Sequence, residues 1–119
     1  MKKLFICFIL FSATVLFAAP KHLIENDWSK KLAPKYHAKR EYVLWDKTRI
    51  DLLTDKYAIE IDFAHKWAES LGQAEYYSIV SGKKPAILLL TKKGEERYVY
   101  RAQTVAAKYE IKVFVEWID

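Results

Sequence analysis

Residues 85–90 read Pro-Ala-Ile-Leu-Leu-Leu, an unbroken apolar run between two segments of helical period. A strand with one solvated face alternates apolar and polar residues, whereas a run without polar positions suits a strand covered on both faces. Such a strand belongs in the middle of a sheet with helices above and below, so the fold class this run points to is α/β. The flanking patterns agree. Residues 64–80 read as a helix closed by Ser81-Gly82, residues 94–109 as another helix, and residues 111–117 as a last strand. Upstream, residues 22–32 carry Leu23, Ile24, Trp28 and Leu32 at helical spacing and stop before Pro34. Three short strand-like runs follow, at 41–45, 48–54 and 57–63, with Asp46-Lys47 and Asp55-Lys56 as the turns between them. The order αβββαβαβ is an antiparallel meander followed by alternating helices and strands, which predicts a mixed central sheet flanked by helices.

The chain opens Met-Lys-Lys and is then apolar or small for the 16 residues from Leu4 to Ala19, ahead of Pro20. A charged start, a hydrophobic middle and a small-residue end form the pattern of a secretory signal peptide. The run falls short of the ~20 residues that cross a bilayer comfortably. Residues from Met1 to Ala19 are therefore expected to form a cleaved leader, with a short membrane anchor as the alternative, and residues 20–119 a single domain. The expected location is secreted or periplasmic, membrane-tethered if the leader is retained, with no stable membrane insertion if it is removed. Setting Lys2 and Lys3 aside leaves 18 basic against 15 acidic residues, a net +3. That charge permits a polyanionic partner without demanding one. The one cysteine, Cys7, lies in the leader, so the domain has no disulfide framework, cysteine zinc site or thiol nucleophile. His22, His37 and His65 lack ligand spacing. Neither a Gly-x-Ser-x-Gly elbow nor a phosphate-cradling glycine loop is present, which argues against a nucleotide cofactor.

The hairpin around Asp55-Lys56 carries the chemistry. If that pair is a two-residue turn, Thr54 faces Tyr57 and, three steps along, Asp51 faces Glu60. Directly opposed side chains have Cβ atoms about 4.5–5.5 Å apart, and like charges in that position destabilise a hairpin. A divalent cation between them removes the conflict, because hard cations such as Mg²⁺ take carboxylate and carbonyl oxygens. Alternation places Asp62 on the same face as Glu60, and Ile59, Ile61 and Phe63 on the other. The alternative is that these acids merely solvate one face of the sheet. On the following helix, Lys66, Gln73 and Tyr77 fall within about 20° of one line, a stripe that begins beside the acids. Ala64, Trp67, Ala68 and Leu71 occupy its far side.

The stretch Arg49-Ile50-Asp51 through Ala58-Ile59-Glu60-Ile61-Asp62-Phe63-Ala64-His65-Lys66, followed by Gln73-Ala74-Glu75-Tyr76-Tyr77, resembles the PD-(D/E)XK nuclease superfamily, especially its small bacterial and phage members. Gln-x-x-x-Tyr at 73–77 resembles the helix motif of RecB-type nucleases. The likeness covers residues 25–90 and implies a restriction-endonuclease-like αβββαβ core with an additional C-terminal helix and strand. It implies that Asp51, Glu60 and the carbonyl of Ile61 hold Mg²⁺ or Mn²⁺, with Glu25 of the first helix completing the set. Catalysis would use Asp51, Glu60, Asp62 and Lys66, with Gln73 and Tyr77 supporting substrate or acids. Position 62 departs from the superfamily, whose lysine there is an aspartate here, and Lys66 is the substitute. The resemblance implies phosphodiester hydrolysis of nucleic acid, DNA in preference to RNA, and is compatible with pairing of two copies. The alternative is a catalytically silent module of the cell envelope that binds nucleic acid or protein. Arg49, Lys56, Lys83 and Lys84 are candidate phosphate contacts.

Overall fold

The computed structural model describes residues 21–118, with side chains from Asn26 onward. The expected leader, Met1 to Ala19 with Cys7, lies outside the described residues, as does the side chain of Glu25. The elements run α1 (Lys21–Leu32), β1 (Lys39–Val43), β2 (Arg49–Leu53), β3 (Tyr57–Phe63), a 3-10 turn (Ala64–Lys66), α2 (Trp67–Ser81), β4 (Lys84–Thr91), α3 (Glu96–Tyr109) and β5 (Lys112–Trp117). The five strands form one sheet in sequence order. β1, β2 and β3 are antiparallel, while β3, β4 and β5 run parallel. The protein is thus α/β with a mixed sheet, in an order compatible with a restriction-endonuclease-like core.

The apolar run that set the fold class is the middle of β4. Ala86, Leu88 and Leu90 pack with Leu32 of α1, while Ile87 and Leu89 pack with Leu71 and Ala74 of α2 and with Ala102 and Ala106 of α3. One helix therefore covers one face and two helices cover the other. Among the described residues, no helix is long and apolar enough to cross a membrane.

Two local expectations need correction. The first strand lies two residues earlier than 41–45, because the chain turns at Leu44. Leu44 N–H donates to the Thr48 carbonyl at 2.8 Å, and the Asp46 carboxylate accepts the Thr48 N–H at 3.0 Å. Lys47 adopts φ 70°, so Asp46-Lys47 is the centre of a longer connection and not a two-residue turn. The second correction concerns the helix after β3. Its first three residues are a 3-10 turn, and Lys66 leaves it at φ −99°, ψ 20° before α-helical winding starts at Trp67. A 3-10 turn has about 3.0 residues per turn, so helical phase counted from Lys66 does not carry into α2. The buried positions of α2 are Ser70, Leu71, Ala74 and Tyr77, and Ala68 is exposed.

Candidate acidic site under helix α2

The tight turn at Asp55-Lys56 forms as expected. Thr54 N–H donates to the Tyr57 carbonyl at 2.9 Å, and the Thr54 hydroxyl oxygen accepts the N–H of Tyr57 at 2.8 Å. The β2–β3 register then pairs Leu53 with Ala58 and Leu52 with Ile59. The β2–β3 pairing ends at Leu52 and Ile59; extended one step it would set Asp51 across from Glu60. Continued alternation would send the Ile61 N–H to the Ile50 carbonyl. It donates instead to Asp51 Oδ2 at 2.8 Å. β2 is irregular at this point, since Leu52 packs toward α1 while Ile50 and Leu53 pack with Tyr77 of α2. Glu41, opposite Asp51 in the β1–β2 register, has φ 52°.

β3 itself alternates cleanly. Ile59 and Ile61 enter the α1 side, while Ala58 packs with Tyr77 and Asp62 meets Ser70 on the α2 side, so Glu60 between them shares the α2 side. The acids are not a solvated face. Asp51 is 6% exposed, Glu60 3% and Asp62 0%. Both oxygens of Asp62 are engaged: Oδ1 accepts the Phe63 N–H at 2.9 Å and Oδ2 the Ser70 hydroxyl at 3.1 Å. Asp62 thereby ties the end of β3 to the first turn of α2, where a negative charge is favoured by the helix dipole.

The expected stripe of Lys66, Gln73 and Tyr77 does not form as one solvent-facing line. Lys66 sits half-buried at the 3-10 turn, and the Gln73 amide donates to Glu69 at 3.4 Å. Tyr77 packs among Leu44, Ile50 and Ala58, behind the strand that carries Glu60. The three acids also do not converge as a ligand cluster: among the described residues no three His, Cys, Asp or Glu side chains come together in a way that could hold a metal ion. Donor chemistry at Asp51 and Glu60 is all-oxygen and suits a hard cation. A third carboxylate would have to come from Glu25, whose side chain is outside the described residues.

Of the expected phosphate contacts, Arg49 lies at the acid end of the hairpin, 3.9 Å from Glu41. Lys56, Lys83 and Lys84 lie at the opposite end of β3 and β4. There the Lys83 ammonium donates to the Asp55 carbonyl at 2.9 Å.

Sequence reading missed three polar residues. Ser70 holds Asp62; its signal is a small hydroxyl at a helix position whose neighbours Leu71 and Ala74 are core. Ser29, fully buried in α1, donates to Glu41 at 3.0 Å. Arg40 reaches across to Asn26 of the same helix. This network fastens α1 to β1 beside the site.

Asp46 and Glu116, away from these acids, are shifted. Hydrogen bonds from Thr48 and then from the Tyr76 hydroxyl hold Asp46 below the usual carboxylate range, linking the β1–β2 connection to α2. Burial pushes Glu116 up, but hydrogen bonds from Lys35 and Tyr36, both at 2.6 Å, together outweigh it and hold the carboxyl low. The Tyr36 phenol is raised, by burial first and then by Glu116.

No protein-family model and no solved structure matches the chain. Among curated proteins, a KilA-N domain-containing protein of Acanthamoeba polyphaga mimivirus is similar, at 33% identity over 94 residues, which cover 76% of this chain and 26% of the viral protein. The chain spans about a quarter of the length of that relative.

Proposed function

We propose that the chain carries a PD-(D/E)XK-like nuclease domain that hydrolyses phosphodiester bonds of nucleic acid, DNA in preference to RNA, with Mg²⁺ or Mn²⁺, outside the cytoplasm. The observation that carries this reading is that Asp51 and Glu60, just past the last β2–β3 pair, are both withdrawn from solvent, with Asp51 Oδ2 accepting the N–H of Ile61 next to Glu60. Two carboxylates withdrawn from solvent on neighbouring strands are the oxygen donor set that a hard cation takes.

Asp51, Glu60 and the Ile61 carbonyl would hold the ion, with Glu25 as the third carboxylate. When bound, such an ion polarises the phosphate and lowers the pKa of a coordinated water. The remaining work falls to the chain. By accepting the Ile61 N–H, Asp51 fixes its own carboxylate against the backbone that bears the other ligands. Lys66, at the N-cap of α2, offers a cation for the charge that develops on the phosphate oxygens. Tyr77 backs the strand that carries Glu60, and Gln73, on the outer surface, is left for substrate.

A second reading is a nucleic-acid- or protein-binding module without cleavage. It is favoured by position 62, where the superfamily's lysine is a fully buried aspartate with both oxygens engaged. The two readings part on one assay: breakdown of plasmid and oligonucleotides by the full chain with and without Mg²⁺ or Mn²⁺. The hydrolase reading expects ion-dependent cleavage that falls at least ~100-fold in Asp51→Ala and in Glu60→Ala. Undiminished cleavage by both variants overturns it, and salt-sensitive retention without breakdown supports the module.

A further inference from the structure

The acidic site leaves the outer face of α3 unused. From residue 97 to residue 109 this helix reads Arg-Tyr-Val-Tyr-Arg-Ala-Gln-Thr-Val-Ala-Ala-Lys-Tyr, with three cations and no acid. Ala102 and Ala106 are buried against the sheet, while Arg97, Tyr100, Arg101, Thr104 and Lys108 are exposed. Their spacings of three and four residues place them on one stripe.

The neighbouring acids are occupied locally. Glu95 accepts the Lys92 N–H at 2.8 Å and Glu96 the Gly94 N–H at 3.2 Å, both closing the turn that leads into α3. Among the described residues, no carboxylate forms an ion pair with Arg97, Arg101 or Lys108. The Arg97 and Arg101 guanidinium groups flank one ring, 4.3 Å and 5.9 Å from the Tyr98 centroid, which holds both cations in a row. α3 packs against the 3-10 turn, which follows the end of β3 where Asp62 sits and contains Lys66.

We propose that this face of α3 binds the phosphate backbone of nucleic acid, without sequence readout, beside the acidic site. The inference rests on nucleic acid being the ligand and adds the surface that holds it. From Arg97 to Lys108 the stripe is about 17 Å long, enough for about five phosphates of one strand. A helix built to lie on a membrane sets large apolar side chains beside its cations. Here the intervening residues are Tyr100, an exposed ring of the kind on which bases stack, and Thr104, whose hydroxyl donates to the Tyr100 carbonyl at 2.8 Å.

The test is fluorescence anisotropy of labelled single-stranded and duplex oligonucleotides with the full chain in EDTA, across 50–200 mM salt. Wild type is compared with Arg97→Gln/Arg101→Gln/Lys108→Gln and with a control that removes the same charge from the α1 region, Lys30→Gln/Lys31→Gln/Lys39→Gln. Thermal melting verifies that each is folded, and Arg101→Gln alone serves as a milder variant. We expect at least tenfold weaker binding by the α3 triple variant, and a slope of log K against log salt smaller by about 2–3. The single variant should lose about threefold and the control less than that. Wild-type affinity in the triple variant, an equal loss in the control, or no binding by wild type overturns the proposal. Because the assay excludes divalent ions, failure of the hydrolase reading leaves this result standing, and failure here leaves ion-dependent cleavage to be judged separately.

Discussion

Strand β3 is covered on both faces, and the two covers are made of opposite materials. Toward α1, Ile59 and Ile61 pack with Leu52, Leu88 and Leu32, with Tyr57 and Phe63 at the ends. Toward α2, the same strand offers Ala58, Glu60 and Asp62, the two carboxylates as withdrawn from water as the isoleucines opposite. Burying an aliphatic side chain contributes about 1.5–3 kcal/mol, whereas a buried carboxylate must recover its lost hydration through hydrogen bonds and counter-charge. The α1 face therefore holds the strand in place. The α2 face carries carboxylates held by polar contacts, Asp62 by the Phe63 N–H and the Ser70 hydroxyl and Asp51 beside it by the Ile61 N–H.

The comparison breaks most readily on its apolar side. Ile61→Ala should lower unfolding free energy by about 2–5 kcal/mol in urea titration. A loss below about 1 kcal/mol would mean that α1 does not anchor β3. Asp62→Lys should cost about 3 kcal/mol, because a cation replaces a fully buried acceptor pair and takes the acceptor from the Phe63 N–H, while the Ser70 hydroxyl keeps only the Lys66 carbonyl. Asp62→Asn, which keeps one acceptor, should cost about 1 kcal/mol. If the lysine were tolerated as well as the asparagine, Asp62 would not be the tie between β3 and α2.

Neutralising the facing pair sharpens the contrast. Asp51→Asn retains an oxygen for the Ile61 N–H, and Glu60→Gln retains the shape. The double variant should melt within about 1 kcal/mol of wild type, or above it, because a like-charge repulsion is removed. A loss above 3 kcal/mol would make the acids structural. The smallest effect belongs to Glu116, remote from the site. Its carboxyl is held below the usual glutamate range, so its contribution is present above about pH 4.5 and disappears as pH falls through the folded-state pKa. The stability difference between wild type and Glu116→Gln should be a few tenths of a kcal/mol at pH 6 and shrink steadily as pH falls below about 4.5, small because the Lys35 partner is largely exposed.

Much of this was legible in the residues. The β4 run is apolar at every position because both faces are covered, and period and turn chemistry placed β3 and its register with β2 as far as Leu52 and Ile59. What escaped depended on contacts distant in sequence. Alternation shows that Glu60 and Asp62 share a face, but not that α2 covers it. Helical phase counted from Lys66 does not carry into α2 because of the 3-10 turn, and no residue between 64 and 66 announces that turn. The displaced first strand follows from Asp46 capping Thr48, a local hydrogen bond that competes with the ladder. Ser70 and Ser29 gave little signal, since a small hydroxyl becomes meaningful only once its acidic partner is placed.

The most direct measurement is Mn²⁺ uptake by the full chain, followed by electron paramagnetic resonance and without nucleic acid. One saturable site in wild type, weakened at least tenfold in the folded Asp51→Asn/Glu60→Gln double variant, is the predicted result. Equal uptake by the two proteins, or none by wild type, would contradict the assignment of these carboxylates to a cation.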